Sequence, residues 1–133
     1  MAVKKIMTDK LVTVSPSDTV EHMQNILEKH NIHHLLVVDN ENLVGVVSER
    51  DILRILSPYI DTQVETEKDL FTLTRTAGQL MTKQPVTISP QASIRDAARS
   101  LLENKVTLLP VVNNNGQAIG VISWKDVMQY IIE

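Results

Sequence analysis

A chain of 133 residues with 43% apolar and 22% charged side chains is sized for one globular domain, or for two small subdomains that share a core, and is too apolar to be mostly disordered. Thirteen basic residues against sixteen acidic ones leave a net charge of −3, so the broad electropositive surface behind non-specific nucleic-acid affinity is missing. The absence of cysteine excludes disulfides, thiolate nucleophiles and Cys-based metal sites. No segment approaches the roughly 18 consecutive apolar residues of a membrane span, and the expectation is a cytoplasmic protein that engages neither membrane nor nucleic acid.

In chain order, LVTVSP (residues 11–16) reads as a short strand, rich in β-branched residues and stopped by proline. A helix follows, with Val20, Met23, Ile26 and Leu27 as its core stripe, Asp18 and Glu21 as its cap, and an end near His30 and Asn31, where asparagine tolerates a left-handed turn. Two apolar strands, LLVVD and LVGVV, come next, joined through DNEN. A last helix runs through Ile52, Leu53, Ile55 and Leu56. Residues 58–76, with Asp61, Glu65, Glu67 and Asp69, read as a solvated connection.

The pattern then starts again. PVTISP (residues 85–90) repeats the short strand, and a helix with Ile94, Ala97, Ala98, Leu101 and Leu102 on one face opens at a Ser93–Asp96 cap. LLPVVN and AIGVIS flank the turn NNNGQ, and a final helix carries Val127, Met128 and Ile131. Met23 and Met128 are simplest as core fillers. The class is α/β (α+β), with a β-α-β-β-α unit used twice: residues 1–57, a linker over 58–76, and residues 77–133.

Superposing the halves places Met7-Thr8 on Met81-Thr82, Val12-Thr13 on Val86-Thr87, and Ser15-Pro16 on Ser89-Pro90. Leu35 then falls on Leu109, Gly45 on Gly120, Ser48 on Ser123 and Asp51 on Asp126. The chain is an internal duplication, and its most chemical element is the pair GVVSERD (45–51) and GVISWKD (120–126). Serine before an apolar periodic segment, with an acid three residues later, is first of all a helix cap. The same start also points backbone amides, with partial positive charge, toward a polar ligand group, and an aspartate one turn along can accept two hydrogen bonds from a vicinal diol. Glycine at 45 and 120 either keeps backbone access open or lets strands pack closely.

Other candidate chemistry is weaker. HNIHH holds His30, His33 and His34, yet no carboxylate spacing completes a tetrahedral metal set, and no metal is expected. Trp124 either packs locally or meets a partner. No P-loop, dinucleotide fingerprint or Ser-His-acid constellation stands in a convincing context, so a binding module is favoured over an enzyme.

The order MT, VTVSP, amphipathic helix, LLVVD, GVVSERD, repeated as MT, VTISP, LLPVV, GVISWKD, resembles a tandem pair of CBS domains of the stand-alone bacterial type, over nearly the whole chain outside the linker. The resemblance implies repeats packed sheet to sheet about a pseudo-twofold axis, with two clefts that take adenosine ligands: AMP, ADP, ATP or S-adenosylmethionine, held as regulators rather than required cofactors. It assigns Ser48, Asp51, Val46, Arg50, Ile32, His33, His34, Met81, Val86 and Thr107 to the first cleft. To the second it assigns Ser123, Asp126, Val121, Thr107, Leu108, Met7, Val12 and His33. With His33, His34 and Arg50 set against Thr107, Leu108 and Lys125, the Asp51 cleft is expected to favour phosphorylated nucleotides more. The resemblance further implies a homodimer that signals through its geometry or through an effector protein. The rival reading is a structural dimerisation module with vestigial clefts.

Overall fold

The computed structural model describes residues 1–56, 58–59 and 62–133. Ser57, the last residue assigned to the first repeat, and Asp61 of the linker lie outside the described residues. The chain divides into two compact units: residues 12–39 with 44–83, and residues 1–11 with 40–43 and 84–133. These units cut the chain differently from the duplication, because the segment ahead of each short strand belongs to the unit of the other repeat.

In the first unit a four-stranded sheet has its strands side by side in chain order. Strand β1 (Thr13–Val14) lies parallel to β2 (His34–Asp39), with Thr13 opposite Leu36 and Val14 opposite Val37. Helix α1 (Val20–His30) joins them and buries Val20, Met23 and Leu27. A fully buried Met or Leu contributes about 1.5–3 kcal/mol. The helix ends as the sequence leads one to expect, on Asn31 in the left-handed region (φ 52°). Its start differs: the cap is Thr19, whose side chain accepts from the His22 amide at 3.3 Å, while the Asp18 carboxylate accepts from the Ser15 amide at 2.8 Å. Asp18 closes the preceding turn, because SPSD offers it an amide three residues back before the helix begins.

Asn40 (φ 50°) and Glu41 (φ 70°) turn the chain from β2 into β3 (Asn42–Ser48), which leads straight into α2 (Glu49–Ile55). The linker is not bare connection. It contains α3 (Glu67–Phe71), boxed by Thr66 and Asp69, and a 3-10 turn over Thr72–Thr74. Next come α4 (Ala77–Leu80) and β4 (Thr82–Lys83), which runs antiparallel to β3 with Val46 opposite Thr82. Ala77 is fully buried in the first core, and the Ala77 and Gly78 amides donate to the Asp18 and Pro16 carbonyls, both at 2.8 Å.

The second unit is built alike, with its leading segment at the N-terminus. Val3 is fully buried and donates to the Ala92 carbonyl at 2.8 Å. Helix α5 (Ile94–Asn104) opens on the expected Ser93–Asp96 capping box and closes on Lys105 (φ 54°), where the first repeat has asparagine. Strands β5 (Leu108–Val112) and β6 (Ala118–Ser123) pair antiparallel, and α6 (Trp124–Ile132) ends the described fold. Within the turn between these strands, Asn113 Oδ1 accepts from the Asn115 and Gln117 amides, and Gly116 takes the positive φ (80°).

Other expectations change as well. PVTISP is not a strand but one parallel bridge, Ile88 to Val111, with Ile88 N donating to Pro110 O and Val112 N to Ile88 O, both at 3.0 Å. Leu102 (64% exposed) and Met128 (50%) stand on the outer faces of their helices, and Leu53 (60%) does so on α2. Their apolar chemistry matched a stripe, but each falls to the edge of the arc its helix buries, whereas Met23 is wholly enclosed.

Candidate ligand-binding site

Both G-h-h-S-x-x-D segments form the same strand-to-helix joint. In β3 the core-facing positions are Gly45 and Val47, so alternation sends the half-buried Val46 and Ser48 to the opposite face. Strand β6 repeats this with Gly120 and Ile122 inward and Val121 and Ser123 on the other face. Each serine then caps its helix. Ser48 Oγ accepts from the Asp51 amide at 3.1 Å while Asp51 Oδ2 accepts from the Ser48 amide at 2.8 Å. At the second joint the corresponding distances are 3.3 Å and 2.9 Å, and the Ser123 hydroxyl also donates to Asp126 Oδ2 at 3.1 Å.

The glycines are explained by packing. A Cβ on Gly45 would stand 2.5 Å from the Met81 sulfur, and one on Gly120 would stand 2.5 Å from the Met7 sulfur and 3.1 Å from the Thr8 carbonyl. The duplicated Met-Thr pair is thus laid across the other repeat's G-h-h-S strand. Thr82 pairs with Val46, while Thr8 exchanges two 2.9 Å bonds with Val121. Met81 is thereby placed in the unit of Asp51, and Met7 in the unit of Asp126.

The helix starts are less open to an anion than sequence alone suggests. The Glu49 amide donates to the His33 carbonyl at 2.8 Å and the Trp124 amide to the Thr107 carbonyl at 3.2 Å. With the third amide of each helix taken by serine, those of Arg50 and Lys125 are left outside these bonds. The same tethers fix Ile32, His33 and His34 beside the first joint, and Thr107 and Leu108 beside the second.

The histidines differ from each other. His33 is exposed, and its Nδ1 meets Glu49 Oε2 at 2.6 Å. His34 is half-buried at the head of β2. Burial, then the neighbouring His33, lowers its pKa from 6.5, and Asp51 pulls the other way. Near neutral pH, His34 is therefore mainly a neutral hydrogen-bonding imidazole, and Arg50 is the firmer cation of the expected set. Among the described residues, no group of three or more His, Asp or Glu side chains could hold a metal ion. Trp124 packs locally: it lies against the second core and its indole Nε1 donates to the Val106 carbonyl at 3.2 Å.

Of the residues assigned to the first site, Ile32, His33, His34, Val46, Ser48, Arg50, Asp51 and Met81 share one unit, and Val86 and Thr107 belong to the other. For the second site, Met7, Thr107, Leu108, Val121, Ser123 and Asp126 share a unit, while Val12 and His33 do not. Sequence reasoning missed Glu49 and its hold on His33. Its only linear signal was a second acid inside GVVSERD.

The CBS-domain family model matches residues 3–58 and 77–133. The chain belongs to the CBS-domain family. A CBS domain-containing protein of Dictyostelium discoideum is 30% identical over 133 residues, covering 98% of this chain and 91% of the relative. Another relative, an inosine-5'-monophosphate dehydrogenase of Korarchaeum cryptofilum, is 32% identical over 88% of the chain, which spans only 21% of that enzyme's length. The solved structure of CBSX2 of Arabidopsis thaliana in complex with AMP superposes with a TM-score of 0.83 at 31% identity, covering 98% of this chain and 96% of that one. No helix among the described residues is long and apolar enough to cross a membrane.

Proposed function

We propose that this CBS-domain pair is a non-enzymatic regulatory module that binds an adenosine nucleotide at its G-h-h-S-x-x-D joints. The observation that carries the reading is the twin joint itself. Each capping box engages only Oδ2 of its aspartate, and a carboxylate has about four acceptor positions, so helix capping and a diol contact are compatible. The likeness to CBSX2, solved with AMP, supports adenosine as the ligand class.

In this reading Asp51 and Asp126 hold the ribose hydroxyls, Ser48 and Ser123 face phosphate, and Met81 and Met7 contribute apolar surface to the base. Val46 and Ile32, in the unit of Asp51, add to the lining of the first site, and Val121, Thr107 and Leu108, in the unit of Asp126, to that of the second. Arg50 and His34 make the Asp51 site the stronger one for a phosphorylated ligand. Occupancy is relayed by self-association or an effector protein, which requires the ligand to bind two conformations unequally. Leu102 (64% exposed), Met128 (50%), Ile131 (66%) and Ile132 (80%) give α5 and α6 apolar surface that supports homodimer formation.

The test is a set of thermal melts with AMP, ADP, ATP and S-adenosylmethionine. A ligand at a hundred times its dissociation constant adds about 2.7 kcal/mol, a rise of several degrees for a domain of this size. No rise with any of the four, confirmed by calorimetry, sinks the reading and leaves the structural dimerisation module in its place.

A further inference from the structure

Building on the reading that the Asp51 joint binds an adenosine nucleotide, we propose that Glu49 sets its phosphate preference, favouring few phosphates over many. Glu49 and His33 are tied twice, by the 2.8 Å bond from the Glu49 amide to the His33 carbonyl and by the 2.6 Å contact between their side chains. The first bond is backbone geometry common to both repeats. The second is particular to this one. His33 therefore meets a carboxylate where the family resemblance offers it as a partner for phosphate.

The surroundings strengthen this. Beside the pair, a groove of about 290 Å³ runs between α1 and α2 over Leu27 and Ile52, and its lining carries a second carboxylate, Glu28. In the duplicated register the positions of Glu28 and Glu49 are Leu102 and Trp124, so the second repeat has no such acidic pair. The side chains of His33 and Glu49 are 72% and 46% exposed, so the repulsion acts through solvent and is modest at each phosphate. It grows with every phosphate added, which makes it a selector among AMP, ADP and ATP rather than a barrier to binding.

The experiment is calorimetric titration of adenosine, AMP, ADP and ATP, without divalent cations, into the wild-type protein and into Glu49→Gln. Glu49→Gln keeps the side-chain shape, and circular dichroism checks the fold. The expected result is a gain in ATP affinity over AMP affinity of about three- to tenfold in the variant, with ADP between them. Adding His33→Gln to Glu49→Gln should remove part of the gain, since the released imidazole is one of its sources. An ATP-to-AMP affinity ratio that Glu49→Gln leaves unchanged overturns the assignment while the adenosine reading stands. Wild-type protein that binds none of the four ligands overturns the reading and the assignment together.

Discussion

The joints at the heads of α2 and α6 share a scaffold and differ in what surrounds it. Each has a glycine under a methionine, a serine that caps, an aspartate that closes the box, and a backbone tether to the residue before the neighbouring strand. Around Asp51 stand His33, His34, Glu49 and Arg50; the matching positions around Asp126 are Thr107, Leu108, Trp124 and Lys125. Duplication preserved the groups that fold the joint and varied those that would meet a ligand. The shared features should therefore respond alike to mutation, and the varied ones should not.

The largest effect on stability is expected at the glycines. Gly45→Ala and Gly120→Ala each overpack a methionine and should cost about 1–3 kcal/mol by urea denaturation. Shortening the methionine separates them. Met81→Ala should recover only part of the strain in Gly45→Ala, because the Met81 Cβ, which alanine keeps, would still stand 2.9 Å from the new methyl. Met7→Ala should recover more in Gly120→Ala, where the sulfur and Cγ are removed and the nearest remaining atom is the Thr8 carbonyl oxygen at 3.1 Å. Equal rescue at both sites contradicts this picture of the packing.

Next in size are the caps. Ser48→Ala and Ser123→Ala each remove an acceptor from a helix amide and should cost about 1 kcal/mol. Because both boxes make the same two reciprocal bonds, the two losses should be of similar size. A cap that proves silent at one joint breaks the equivalence.

The smallest effect is the pH response of the first joint. The folded-state pKa of His34 is depressed, so the unfolded chain binds more protons in mild acid. Its contribution to stability is present above pH 6.5 and declines as the pH falls from there through the lower folded value. His34→Leu, which copies the second repeat, should flatten that part of a plot of Tm against pH. An unaltered slope below pH 6.5 would count against the burial of His34.

Much of the fold was legible in the sequence because it rests on local rules. The stripes of α1 and α5, the Ser93 box, the Asn31 terminus and the twin serine caps all follow from residues within one or two turns. The Thr19 cap escaped because SPSDT offers two candidates within two residues, and the competing turn took Asp18. PVTISP lost its strand because β-branched composition specifies extended backbone but not the length of pairing. What lay beyond linear reading was long-range: Met81-Thr82 against Gly45, Met7-Thr8 against Gly120, and Glu49 against His33. Those contacts join residues distant in the chain, and no local propensity encodes them.

The central claim is that Asp51 does more than close a helix cap. Calorimetric titration of AMP into wild-type protein and into Asp51→Asn tests it directly, since asparagine keeps an oxygen for the Ser48 amide but loses the anionic acceptor pair. Saturable wild-type binding, weakened at least tenfold (about 1.4 kcal/mol) in an equally folded variant, is the predicted result. Equal binding by the two proteins, or none by either, would contradict it.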